Sequence, residues 1–282
     1  MKNPYKTQNI AFFFLLLATL LVIVPVGLIV VIIVQKGISA INWQFLTDVP
    51  RQGMRAGGIF PAIIGTVYLV SGAIIFALPV GLMAAIYLSE YSKDNFLTRI
   101  IRLAIVNLAG VPSVVYGLFG LALFVVFFKF GASILSGSLT LGIMILPIII
   151  TTSREALESV PYSFREVSLS LGASKWQTIR HIVLPNAISG ILTGTILGLG
   201  RAAGETAPIL FTVAAFYLPQ MPSSIFDQVM ALPYHLYVIS TQVPNVDEKV
   251  RYGTALILLT LVLFMNLIAI IIRNKFRKKK KW

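Results

Sequence analysis

Six stretches without a charged side chain divide the chain, at residues 7–35, 56–89, 103–128, 130–153, 181–200 and 252–272. Each reaches or passes the roughly 20 residues that carry an α-helix across a bilayer. A further uncharged stretch, 206–226, follows Glu205, but its apolar part ends at Pro219 and Pro222. About a dozen residues cannot span, so this segment reads as an extension of the fifth helix. The first run is too long for a signal-peptide core and lacks a small-x-small cleavage site, so the amino terminus is expected to stay as a helix. The pattern predicts an all-α polytopic membrane protein with six transmembrane helices in one membrane domain over 1–282. Polar connections fall at about 36–58, 154–184 and 218–252.

Composition narrows the class further. With 57% hydrophobic and 12% charged residues, the chain has too little polar surface to cover a soluble globule. The net charge of +13 raises the question of nucleic acid, but the cations sit at the ends of the apolar runs. With both termini on one side, that side holds sixteen of them: Lys2, Lys6, Lys93, Arg99, Arg102, Arg154, Arg165, Lys175, Arg180 and the seven from Arg273 to Lys281. The other side holds six: Lys36, Arg51, Arg55, Lys129, Lys249 and Arg251. The excess places the sixteen and both termini in the cytoplasm. The terminal lysine run reads as a topology anchor that also touches anionic lipid, so no nucleic-acid partner is expected. The absence of cysteine excludes disulfides, thiolate metal sites and a cysteine nucleophile. His181 and His235 have no spaced ligand partner, and no metal site is expected.

The polar connection 154–184 reads REALESVPYSFREVSLSLGASKWQTIRHIVLP. Ser163 with Glu166, and Ser174 with Gln177, fit the capping box that opens a helix, and Gly172 lies between them where a helix must end. Pro185 stands where a first-turn proline is tolerated at the start of the fifth span. Two short helices joined by a glycine turn would project from the membrane as a knob suited to a groove on another protein. The external loops 36–58 and 218–252 are long enough to dock a partner. They equally read as solvated connections with a short interfacial helix around FDQVMALPYHLYV.

The spacing from Glu166 through Gly172 and Ile182 to Leu184 and Pro185 resembles the EAA loop of ABC importer permeases, with Val167 and Ser168 in place of the two alanines. The stretches GGIFPAIIGT, AGVPSVVYGLFGL, TSREALESVP, LGASKWQT and GRAAGETAPILFT are similar to the phosphate branch of that family, PstA-type. The resemblance implies a heterodimer with a PstC-type permease, two PstB-type ATPase subunits and a PstS-type phosphate-binding protein, with inorganic phosphate as cargo. It also implies that Glu166, Gly172, Ala173, Ser174 and Lys175 couple the chain to the ATPases, and that ATP and Mg are bound there rather than here. The residues agree on the last point, because no G-x-x-x-x-G-K-[ST] phosphate loop occurs in the chain. Sulfate, molybdate or an organic phosphate is the alternative cargo. An ion-coupled secondary transporter would be expected to show an internal repeat, which is not evident.

Arg201 and Glu205 are the charge pair within a span. Their i, i+4 spacing puts both on one helical face, and Arg201 lies roughly 24 Å along the helix from Pro185, past the midplane. A charge at such depth must be paired or face a polar cavity. A guanidinium can hold two phosphate oxygens, and a carboxylate can accept the proton that phosphate keeps at neutral pH, so the pair is a candidate substrate path. A structural ion pair that closes the bundle is the other reading. Gly190, Gly194, Gly198, Gly200 and Gly204 offer narrow faces, either for internal packing or for the partner permease. Pro79, Pro112, Pro147 and Pro208 are tolerated where neighbours satisfy the freed carbonyls.

The charge count makes a direct prediction. Single cysteines introduced at Lys175 or Lys279 escape an impermeant thiol reagent on intact cells, whereas cysteines in 36–58 or 218–252 react. Labelling at either lysine position would exclude the six-span arrangement.

Overall fold

A computed structural model describes residues 4–277, so the lysines at 278–281 lie outside the described residues. The chain is helical almost throughout. Its elements are α1 (Pro4–Gly37), α2 (Trp43–Thr47), α3 (Phe60–Ile86), α4 (Phe96–Ala109), α5 (Ser113–Gly120), α6 (Ile134–Glu158), α7 (Tyr162–Ser170), α8 (Lys175–Thr178), α9 (Leu184–Gly204), α10 (Ala207–Thr212), α11 (Leu232–Thr241) and α12 (Glu248–Arg277). A two-residue hairpin pairs Pro50–Arg51 with Ala56–Gly57 in antiparallel register. Among the described residues, five continuous helices are long and apolar enough to cross a membrane: α1, α3 with its π-helical end, α6, the run Lys175–Gly204, and α12.

The third expected span is broken. Phe96–Ala109 and Ser113–Phe127 meet at 104°, so the uncharged run 103–128 is two helices rather than one rod. Pro112 causes the break: it has no N–H to donate and disfavours the helical conformation at Val111. The freed Leu108 carbonyl accepts from the Tyr116 hydroxyl at 2.7 Å and from the Val111 amide at 3.1 Å. Asn95 opens α4 by accepting from the Thr98 amide at 2.9 Å.

The segment after Glu205 is not an extension of the fifth span. The helix stops at Gly204, Glu205 is extended (φ −78°, ψ 134°), and the six-residue α10 starts afresh with Pro208 in its first turn. Beyond it the chain runs irregularly to Ala231 and closes over the start of α6. The amides of Ser133, Ile134 and Leu135 donate to the carbonyls of Thr212, Asp227 and Ile225 at 3.0, 2.9 and 2.9 Å. These donors have no partner within their own helix.

The core lies between α3 and α6. Leu69, Ala73 and Ala77 meet Leu141, Met144, Ile145 and Ile149, all fully or nearly fully buried. On the other flank of α6, α9 comes close because Gly190 and Gly194 lack side chains. A Cβ at those positions would collide with Ala156 and Thr152. Internal packing therefore accounts for these two glycines.

The loops 36–58 and 218–252 form a packed cap. The Tyr217 hydroxyl donates to the Pro50 carbonyl at 3.0 Å, and the Leu232 amide donates to Thr66 Oγ1 on α3 at 2.8 Å. The expected short helix appears as α11, but Leu232, Tyr234, His235, Val238 and Ile239 are buried, so it is a core element. His235 Nδ1 has no hydrogen-bond partner among the described residues.

Burial lowers the His235 pKa from 6.5 to about 4. The unfolded chain therefore takes up this proton first, so the cap is fully stable above pH 6.5 and loosens as pH falls from there towards 4. Full protonation costs roughly 3 kcal/mol. Hydrogen exchange of residues 229–246, corrected for intrinsic rates, is expected to accelerate over that interval, and His235→Leu is expected to remove the dependence. A wild-type profile flat with pH would show that the cap does not sense this residue.

Candidate functional site

The turn that follows α6 is built by local rules. Pro161 (φ −54°) starts α7 at Tyr162. Ser163 is therefore already inside the first helical turn, and the expected Ser163–Glu166 capping box does not form, because a cap residue must be extended. Glu166 is exposed on the outer surface. At the far end the Gly172 amide donates to the Leu169 carbonyl at 2.9 Å and the Ala173 amide to the Ser168 carbonyl at 3.2 Å. Gly172 has φ +83°, and this paired pattern is the Schellman termination that favours glycine. The second expected box is present: the Gln177 amide donates to Ser174 Oγ at 3.3 Å, and the Ser174 amide to Gln177 Oε1 at 2.8 Å.

Pro185 does not begin the fifth span. From Lys175 the helix passes through a π-helical stretch, Ile179–Val183, into α9, so Lys175–Gly204 is one rod of 30 residues. Asn186 Nδ2 donates to the Ile182 carbonyl at 2.8 Å beside the proline.

An ion pair that sequence reasoning missed holds α7 to the bundle. Arg165 Nε donates to both Glu90 oxygens at 3.3 and 3.2 Å, and its terminal nitrogens reach Glu90 Oε1 at 2.6 Å, the Leu157 carbonyl at 2.9 Å and the Val160 carbonyl at 2.7 Å. The two side chains are 11% and 8% exposed. Glu90 lies in the last turn of the helix that continues α3, Leu157 in the last turn of α6 and Val160 just beyond it, where a cation also meets the negative end of the helix dipole. One guanidinium thus ties α7 to both central helices. Alongside, Lys175 Nζ stands 4.8 Å from the centre of the Tyr91 ring. Val167, Leu171 and Trp176 point outward with more than half their surface exposed, an apolar face on an otherwise polar turn.

Arg201 and Glu205 come together as expected, although less tightly. Nε and Oε1 are 3.5 Å apart, at the limit of a hydrogen bond, and the side chains are 31% and 20% exposed. The pair straddles the end of α9, so Glu205 approaches from extended chain and not along the same helical face. Glu205 borders the layer formed by Leu69, Leu141 and Ile209. Because Leu141 lies near the start of α6, this layer is nearer the cap than the 162–178 turn. Tyr116 stands within electrostatic reach of Arg201, and the Asn266 side chain of α12 rests against Gly200. Asn266 is a lone amide in the uncharged run 252–272 and was legible as a mid-span polar group. Nothing local points to Tyr116, or to the Arg165–Glu90 pair across a sequence separation of 75.

The chain matches the family model described as "Binding-protein-dependent transport system inner membrane component" over residues 77–282. It is 32% identical over 253 residues to the "Probable ABC transporter permease protein YqgI" of Bacillus subtilis (strain 168), covering 85% of each chain. It is 34% identical over 245 residues to the "Phosphate transport system permease protein PstA" of Xylella fastidiosa (strain Temecula1), covering 86% of this chain and 85% of that one. Among solved structures it resembles a bacterial ABC transporter involved in the import of the acidic polysaccharide alginate, with a TM-score of 0.64 and 15% identity over 98% of this chain and 100% of that one. That likeness concerns the fold.

The geometry of the turn gives a prediction. Glu90→Gln leaves the Arg165 charge buried without its partner, a loss of about 3–5 kcal/mol. Gly172→Val strains the left-handed turn by about 1–2 kcal/mol, with open space around the new side chain. Both variants are expected to lose hydrogen-exchange protection across 162–178 while α3 and α6 stay protected. The double variant Arg165→Met with Glu90→Leu is expected to recover most of the loss. Unchanged protection in Glu90→Gln would mean that the ion pair does not hold the turn.

Proposed function

Because the chain belongs to the family of binding-protein-dependent transport system inner membrane components, we propose that it is one of two permease subunits that form the translocation path of an ATP-driven phosphate importer. The second wall of the path comes from a PstC-type permease. Two PstB-type ATPases bind ATP and Mg, and a PstS-type protein delivers phosphate from outside. The chain is a transport component of the inner membrane, with both termini and the 162–178 turn in the cytoplasm and the cap outside.

The observation that carries the substrate reading is the difference between two arginines. Arg165 has committed its guanidinium to a carboxylate and two carbonyls. Arg201, among the described residues, commits only Nε, and that at 3.5 Å. The fork of Arg201 is open to a planar pair of anionic oxygens, and bidentate pairing with phosphate is its best use. Glu205 beside it accepts the proton that phosphate keeps at neutral pH and repels a fully ionised sulfate, so the pair both attracts and discriminates.

Coupling follows from the rod. Lys175 and Arg201 belong to one helix and lie about 40 Å apart along it. An ATPase that grips the exposed face of Val167, Leu171 and Trp176, with Glu166, Gly172, Ala173 and Ser174 shaping the grip, moves the base of that rod. Its far end carries the phosphate ligand.

Arg201→Gln is expected to abolish phosphate uptake in proteoliposomes containing the whole importer, without loss of assembly or of ATPase association. Arg201→Lys is expected to restore part of the uptake, because a point charge lacks the fork. Exchanging the residues, Arg201→Glu with Glu205→Arg, keeps a pair but moves the positive charge from the last turn of α9 to the extended residue beyond it. Normal phosphate transport by the exchanged variant would make the pair structural and remove it from the path.

A further inference from the structure

A second cationic site lies apart from both the path and the turn. α4 packs on the carboxyl-terminal half of α6 and, with Leu88 of the helix that continues α3, leaves a cleft of about 300 Å³. Arg99, Arg102 and Arg154 line it at one end, and Leu103, Val106 and Ile150 form its apolar wall. Among the described residues no carboxylate lines the cleft. Arg154 makes an i, i+4 ion pair with Glu158 along α6, its Nε 3.6 Å from Oε1 and so longer than a hydrogen bond. The Nε atoms of Arg102 and Arg154 are buried without a hydrogen-bond partner among the described residues, and Arg102 makes one long contact, 3.4 Å, to the Leu88 carbonyl. Arg99 is exposed at the rim, in the first turn of α4, where the helix dipole adds to the positive field.

From this geometry we infer that the cleft between α4 and α6 binds an anionic phospholipid, with its phosphate on Arg99, Arg102 and Arg154 and an acyl chain against Leu103, Val106 and Ile150. The chemistry needed is a phosphate joined to hydrocarbon. Three arginines concentrate positive charge at one end, and the apolar wall would be idle for a free ion. Leu103 and Val106 are 56% and 62% exposed and open the cleft sideways, where a bilayer lipid enters without leaving its leaflet. Basic pockets between spans at the cytoplasmic surface are suited to anionic headgroups, and the leaflet assignment rests on the topology proposed above. The charge complementarity does not depend on that assignment.

The test uses the assembled importer purified in mild detergent, with retained lipid quantified by mass spectrometry. The wild-type complex is expected to retain phosphatidylglycerol or cardiolipin in preference to phosphatidylethanolamine. Arg99→Gln, which removes an exposed side chain and keeps the fold, is expected to weaken retention roughly fivefold. Joined with Arg102→Gln and Arg154→Gln it should weaken retention roughly a hundredfold. Arg180→Gln, which lies outside the cleft, should leave it unchanged. Retention that is indifferent to lipid charge, or equal in wild type and the Arg99→Gln variant, overturns the inference. Binding of radiolabelled inorganic phosphate to lipid-free complex that is lost in the triple variant, with lipid retention unaltered, assigns the site to a soluble anion and also overturns it. Loss of a partner subunit in the triple variant, with lipid retention unaltered, makes the cleft a protein-docking surface. None of these outcomes depends on phosphate uptake, so failure here is separable from failure of the transport reading.

Discussion

Water is missing from the hydrocarbon core, so an amide or carbonyl released by a broken helix there must find a partner within the protein. The breaks in this bundle fall where a partner is at hand. At Gly110–Pro112 the freed Leu108 carbonyl takes the Tyr116 hydroxyl. At the start of α6 the orphan amides are met by the carbonyls of a loop more than 70 residues away in sequence. The cap of 218–252 therefore completes the central helix, which explains why an outwardly polar, proline-rich segment is so deeply packed. The same requirement fixes where the chain bends, and the bends fix where Tyr116, Glu205 and Arg201 lie.

Two arginines show how one side chain can serve opposite ends. Removing a guanidinium from water is tolerable only when its donors are met, and Arg165 meets that demand with a carboxylate and two helix-end carbonyls. It is a rivet between three helices. Arg201 keeps about a third of its side chain accessible and holds its carboxylate loosely. Such an arrangement is poor as a fastening and good as a receptor for a transient anion. The contrast rests on hydrogen-bond geometry and not on charge, because each arginine has one acid beside it.

Much of this architecture was legible in the chain because charged residues bound the spans sharply. The uncharged lengths located five of the crossings, and the i, i+4 spacing joined Arg201 to Glu205. What escaped was set by local turns inside uncharged runs. The length count is blind to Pro112, although glycine and proline two residues apart are a turn signal. Gly204 followed by Pro208 marks a stop and a fresh start that hydrophobicity alone conceals. Ser163 has the right spacing for a cap, but Pro161 begins the helix two residues too early for it. The Arg165–Glu90 pair joins distant segments, and no periodicity connects them.

The π-helical stretch at Ile179–Val183 has a consequence for the rod that contains it. A π-turn holds one residue more than an α-turn, so the helix beyond it is rotated by about 100° relative to an uninterrupted one. The orientation of Lys175 and Trp176 is thereby set out of phase with that of Gly190, Gly194 and Arg201. One inserted residue lets the base of the rod face outward while the glycines face α6. The rod is thus continuous, with its two ends turned to different sides and no break between them.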